Sequence, residues 1–330
     1  MLASEALPIV GRAFSLRTSF NRSLINSLLY LLDVCSEVIP ETRFARAKEK
    51  IESLNPELKF SGFLNLLHID LLKMAENNDI EGVNNIVERL GVEDHYIREL
   101  KFLNLSNCDE YYEPLIKNIF SESITREIEF LSLPSSEFEE VKASFCRGLK
   151  IFEEAFPDFF MEFQELVGEI LLLKGKNLYQ GSSTDLFGMI YKSSDHKWEK
   201  LTDLFEFFVH EEAHLYLFLV NREDPILLNP TDIYFSPIRK EKRPLMGIYH
   251  ANFVLARVCY VVEKALARNV IPVNERDYCV EFLTTYGDCF FEGLATVKAH
   301  AQMTSLGEAL LESAIQLVNS TGLKSTKKIA

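Results

Sequence analysis

Turn formers are scarce in this chain of 330 residues, which has 14 glycines, 11 prolines and a single tryptophan. That weighs against a turn-rich all-β fold and favours helices. No stretch reaches the roughly 18 consecutive apolar residues of a membrane span. Met1 to Ile9 lacks the basic flank and long apolar core of a secretory signal. The six cysteines never form a C-x-x-C pair, so the expected state is reduced thiols in the cytoplasm. Cys259 and Cys279 fall in apolar stretches and are expected to be buried. Basic residues are few beside acidic ones, 35 Lys and Arg against 49 Asp and Glu, a net charge of −14. Such a surface argues against nucleic acid or an anionic membrane as the main partner.

What is present suits a large helical core. Apolar residues make up 47% of the chain, and the length suggests about two domains. From Leu16 to Asp158 the pattern predicts successive amphipathic helices. Leu24, Leu28, Leu31 and Leu32 share a face, as do Phe63, Leu67, Leu71 and Met74, and Ile80, Val83, Val87 and Leu90 before Gly91. Ser136 and Glu139 predict a capping box. It opens a helix with Phe138, Val141, Phe145, Leu149, Phe152 and Phe156 on one side, ended by Pro157. Glu169–Leu173 and Leu186–Lys192 have strand character, and Gly175, Asn177 and Gly181-Ser182-Ser183 mark turns between them. A polar loop around Ser193 to Lys197 leads to a helix over Asp203–Asn221. Prolines 225, 230, 237 and 244 punctuate an irregular stretch. A long helix over Pro244–Asn269 follows, then two more near Tyr278–Ala301 and Leu306–Asn319. The tail from Lys324 to Lys328 is expected to fray.

The chemistry concentrates in His210-Glu211-Glu212-Ala213-His214. Two histidines four apart on a helix project from one face, one turn above the other, which is a two-point grip on a metal ion. Glu211 lies about 100° round the helix, where it can act on a metal-bound water. The bland alternative is a buried helix with two hydrogen-bonded histidines. The apolar flanks, Phe205, Phe207, Phe208, Val209, Leu215, Leu217 and Phe218, make polar groups there costly without partners.

A third ligand is needed, and Leu215 to Pro225 contains no histidine. Downstream candidates are His250, roughly one and a half turns into the long helix, Glu263 on the same helix, and Glu292. His250 is preferred for its apolar setting and its neighbour Gly247. His196 reads as surface loop, His95 as surface helix, His68 as helix flank and His300 as helix packing. Imidazole ligands alone suit zinc, iron, copper or nickel.

The segment Arg243-Pro244-Leu245-Met246-Gly247-Ile248-Tyr249-His250 resembles an Arg-Pro-Leu-x-Gly-x-x-His signature. Phe253-Val254-Leu255-Ala256-Arg257-Val258 and Leu186-Phe187-Gly188-Met189-Ile190-Tyr191 are similar to flanking motifs, as is Met303-Thr304-Ser305-Leu306-Gly307-Glu308-Ala309-Leu310. Met303 stands there in place of an expected leucine. Together with H-E-x-x-H they resemble the HExxH-type peptide-modification proteins over roughly residues 165 to 312. The resemblance implies an Fe(II)- and 2-oxoglutarate-dependent peptide β-hydroxylase acting on a ribosomally made precursor peptide. It implies iron on His210, His214 and His250, with Glu211 as acid/base or water-orienting group. The distal carboxylate of 2-oxoglutarate needs a cation. Arg257, seven residues beyond His250 on the same helix face, and Arg243 are the candidates, with Arg239 weaker.

The expectation is therefore a mainly α (α+β) fold. A helical region over 1–160, suited to peptide recognition, precedes a metal-binding catalytic domain over 161–330. That domain combines a small β element with an H-E-x-x-H helix packed on a long second helix. The expected partner is a precursor peptide, with no nucleic acid or membrane, and a homodimer is left open. The competing readings are a zinc metallopeptidase with Glu211 as general base, and a non-catalytic helical binding protein.

Overall fold

A computed structural model describes residues 5–122, 129–196 and 198–326. Lys197 of the polar loop, and Lys327 and Lys328 of the tail, lie outside them. The elements run α1 (Arg12–Val34), α2 (Glu41–Glu52), α3 (Gly62–Glu76), α4 (Ile80–Val92), β1 (Lys101–Asn104), α5 (Tyr112–Glu122), α6 (Ser135–Ala155), α7 (Pro157–Leu166), β2 (Glu169–Leu173), β3 (Gln180–Ser182), β4 (Met189–Ser193), α8 (Leu201–Glu223), β5 (Ile233–Ser236), β6 (Glu241–Pro244), α9 (Leu245–Ala267), α10 (Arg276–His300) and α11 (Ser305–Asn319). The fold is mainly α with small sheets, as the sequence predicts.

Two compact units emerge, and their division differs from a single cut at residue 160. One, here the sheet unit, comprises 13–138 and 164–195. The other, the histidine unit, comprises the N-terminal residues to Arg12, 139–163 and 196–330. The strands that precede the H-E-x-x-H helix thus belong with the N-terminal helices. The phenylalanine stripe of α6 belongs with the histidines.

In the sheet unit the strand order is β1-β2-β4-β3, with β1, β2 and β4 parallel and β3 antiparallel at the edge. Every residue of β2 and β4 is buried, the usual condition of strands in a parallel sheet. β1 lies in a stretch expected to be entirely helical. It has no apolar alternation of its own and is a strand because Lys101 to Asn104 pair with Glu169 to Leu172. Gly181 and Ser182, expected in a turn, form β3. The strand expected from Leu186 begins at Met189, after a turn at Gly188 whose φ of +92° suits glycine. Glu169 is buried at the start of β2. It accepts from Ser61 Oγ and Gly62 N, both at 2.9 Å, at the N-terminus of α3. His95 is buried rather than on a surface helix. It follows α4, and its Nε2 lies 2.9 Å from the Leu90 carbonyl. His68, on α3, meets Ser27 Oγ at 2.7 Å.

The histidine unit is built around α9, which packs against α8, α10 and α11. α9 is long and apolar enough to cross a membrane by composition, but 78% of its most apolar window is buried inside the protein. Phe145 and Phe152 of α6 pack their rings on Phe205, Phe207 and Phe208 of α8. The expected capping box is not formed. α6 begins at Ser135, which puts Ser136 inside the first turn, and Glu139 pairs with Lys142 at 3.6 Å. Cys259 and Cys279 are buried as expected, and no disulfide forms among the described residues. Thr326 N donates to Asp288 Oδ1 at 2.8 Å, so the tail is tied down that far rather than frayed.

α9 and α10 approach closely where Gly293 faces Asn252. A Cβ at Gly293 would lie 2.2 Å from Asn252 Oδ1, and Asn252 is itself buried. Gly293→Ala is expected to destabilise the protein by about 1–3 kcal/mol through overpacking, read as a lower denaturant midpoint. An unchanged midpoint would show that Asn252 relaxes without cost.

Candidate metal centre

α8 places its histidines as the spacing requires. The His210 and His214 ring centroids are 5.0 Å apart. His250, entering from the first turns of α9, brings its ring to 5.9 Å from His214. Phe218, one turn beyond His214, packs against both His214 and His250. The three imidazoles expected from the sequence therefore gather on one side of the α8–α9 pair. Among the described residues, no three His, Cys, Asp or Glu side chains stand ready-formed as a ligand set. The rings are neighbours whose nitrogens do not yet converge on one point.

Their electrostatics differ. Burial pushes His250 down to about 4, so its ring is neutral at pH 7 with a lone pair to offer. Its Nε2 is buried without a hydrogen-bond partner. His214 is held well below the ordinary histidine value, first by burial, then by His210 and His250, then by Arg239 and Arg243. His210 is raised despite burial, because the Glu206 carboxylate lies beside it. Glu206 Oε1 is 2.9 Å from His210 Nδ1. Glu211 is buried on α8.

The two arginines singled out for cofactor binding have different fates. Arg257 is fully buried and its guanidinium is already engaged. It pairs with Glu162 of α7 and, at 3.4 Å, with Glu212 of α8, and lies over the Phe159, Tyr216 and Phe253 rings. Glu212 and His214 are two residues apart, about 200° round the helix, so the charge cluster and the histidines occupy opposite sides of α8. His250 and Arg257 of α9 both meet α8, but His250 meets His214 and Phe218 whereas Arg257 meets Glu212 and Tyr216. Arg257 is therefore a structural ion pair and not a cation open to a cofactor.

Arg243 is placed otherwise. It lies near the end of β6 in the hairpin of β5 and β6, whose turn holds Lys240 at φ +56°, and its guanidinium would lie 4.0 Å from a Cβ at Gly247 at the start of α9. Arg239 stands in the hairpin turn. Both act on His214 and Arg239 also on His210. Arg243 is lowered by burial and then by Arg239, with Glu241 opposing. Neither arginine has a carboxylate within ion-pair distance among the described residues.

No family model matches the sequence, and no curated protein matches it. The functional reading therefore rests on the motifs and on this geometry.

Of the other candidate ligands, Glu263 pairs with its neighbour Lys264 at 3.0 Å, more than three turns along α9 from His250. Glu292 lies on α10. His300 ends α10 and stacks on Tyr234 at 4.2 Å. Residues that the sequence reading passed over are Glu206, Asp203, Tyr278 and Tyr286. Tyr278 donates to Asp203 Oδ1 at 2.5 Å, and Tyr286 to Glu206 Oε1 at a long 3.4 Å. A signal for Glu206 was present, since it stands four residues before His210 on the same helix face.

Proposed function

We propose that the chain is an Fe(II)- and 2-oxoglutarate-dependent oxygenase that hydroxylates a side chain, at the β-carbon, of a ribosomally made peptide in the cytoplasm. The observation that carries this reading is an anion-ready flank beside the imidazole cluster. Arg239 and Arg243, without carboxylate partners among the described residues, act electrostatically on His214. A metallopeptidase needs no such pair of cations for its water chemistry, whereas a dicarboxylate co-substrate does.

His210, His214 and His250 fit a divalent metal by donor type, and the unpartnered buried Nε2 of His250 fits it by need. Bound Fe(II) with 2-oxoglutarate and dioxygen would supply the oxidising power to convert a C–H bond to C–OH, as 2-oxoglutarate goes to succinate and carbon dioxide. Arg243 would orient the co-substrate by a charge-assisted pair, with Arg239 adding positive potential. Phe218, packed on two of the rings, excludes water from that side. Glu211, one residue from His210 and about 100° round the helix, would orient a water or hold a proton.

The test is anaerobic reconstitution with Fe(II), then turnover of 2-oxoglutarate with a peptide encoded beside this gene. Peptide-stimulated succinate formation is expected. Cleavage of peptide with zinc and without 2-oxoglutarate would replace this reading by the metallopeptidase. Arg243→Ala is expected to raise the KM for 2-oxoglutarate by about 10–100-fold, the loss of one charge-assisted hydrogen bond of roughly 1.5–3 kcal/mol. An unchanged KM would remove Arg243 from the co-substrate site.

A further inference from the structure

We propose that Glu206 is a positioning residue, which holds the neutral His210 ring with its proton on Nδ1 and so leaves Nε2 as the metal-donating nitrogen. The part concerning metal rests on the metal-centre reading above. The part concerning the tautomer does not.

The two groups are joined by helix geometry and by distance. Glu206 and His210 stand four apart on α8, and the carboxylate oxygen lies 2.9 Å from Nδ1. Nδ1 is buried and has no completed hydrogen bond, and a carboxylate can only accept, so closing this contact puts the proton on Nδ1. Both side chains are largely removed from solvent, at 17% and 9% exposure. There a carboxylate acts more strongly than on a surface. Nδ1 and Nε2 lie on different edges of the ring. A carboxylate at Nδ1 therefore selects the tautomer whose lone pair is on Nε2, the nitrogen left free to donate to a metal. Carboxylate–imidazole contacts of this kind fix the ring and raise its basicity toward a metal.

Glu206 has support of its own. Tyr286 of α10 reaches its Oε1, and about two turns earlier on the same helix Tyr278 donates to Asp203. α10 thus holds the carboxylate end of α8 through two phenols, while α9 supplies His250 from another side. The chain orders the centre from three helices, of which the sequence motif names only one.

The test follows ¹⁵N chemical shifts of the His210 ring in the metal-free full-length protein as the pH is raised until they stop changing, so that the neutral ring is read. Wild type is expected to show protonation at Nδ1. Glu206→Ala is expected to move the proton population to Nε2, and Glu206→Gln, whose amide oxygen still accepts, to keep most of it on Nδ1. In parallel, chelator competition with Co(II) should show about 10–100-fold weaker binding for Glu206→Ala, with recovery in Glu206→Gln. A wild-type ring protonated at Nε2, or a Glu206→Ala ring unchanged from wild type, overturns the proposal. If Glu206→Ala fails to fold, the wild-type tautomer and the Glu206→Gln pair still decide it. A wild type with the Nδ1 proton that binds no Co(II) would sink the metal centre and leave the positioning role standing.

Discussion

Arg257→Ala is expected to destabilise the protein by about 3–5 kcal/mol, a large part of the roughly 5–15 kcal/mol that holds a typical domain together. The reason is the company Arg257 keeps. Its guanidinium is fully buried against two buried carboxylates, Glu162 and Glu212, with Arg12 at 3.9 Å from Glu162. Burial penalises every charge here. Arg257 nonetheless stays above its ordinary value because Glu162 and Glu212 outweigh that penalty. Glu162 is held low by Arg257 against its own burial. Glu212 is pushed up by burial and by the Glu162 charge, against the pull of Arg257. Removing the arginine leaves Glu162 and Glu212 buried without the cation they share and empties the space over three aromatic rings. Urea unfolding of the metal-free protein measures this. The paired replacement Arg257→Met with Glu162→Gln should recover much of the loss, because apolar or neutral groups of similar size replace buried ions at little cost. A stable Arg257→Ala protein with a raised 2-oxoglutarate requirement would instead return Arg257 to the co-substrate site.

The same residue shows what helix periodicity conveys and where it ends. Spacing alone places His210 with His214 on a common face, and their rings are neighbours; it places His250 with Arg257 as well, yet the two meet different residues of α8. It does not say what stands opposite. The face of α9 that carries Arg257 meets Glu212 and Tyr216 of α8, a fact of tertiary packing that no window along one helix contains. Arg243 was legible as a candidate because it lies just before the helix that carries the third histidine in its opening turns. Its orientation depends on the β5–β6 hairpin, hidden in a stretch that reads as irregular because of its prolines. β1 was illegible for a different reason. Lys101-Phe102-Leu103-Asn104 has no alternation, and its strand state comes from pairing with β2 across a long sequence separation. The long helices α8, α9 and α10 were legible to within about two residues at their ends, since their apolar content extends over many turns.

Metal binding itself turns on His250. His250→Ala is expected to weaken Co(II) or Fe(II) binding at least about 100-fold, since two imidazoles on one helix turn remain where three donors stood. Folding should behave differently. A buried imidazole with an unpartnered nitrogen carries a desolvation cost of about 1–3 kcal/mol. His250→Phe, which fills the volume without a nitrogen, is therefore expected to leave the metal-free protein as stable as wild type or more so, while binding metal as weakly as His250→Ala. His250→Ala adds a cavity and should lose stability instead. Isothermal titration with Co(II) and urea unfolding of the metal-free proteins separate the two effects. Full metal occupancy in His250→Phe would mean that the third donor lies elsewhere, with Glu263 and Glu292 the next to test. A metal-free protein strongly destabilised by His250→Phe would mean that the histidine is held for packing. Loss of metal with retained stability is the signature of a residue kept for its lone pair, against the interest of the core around it.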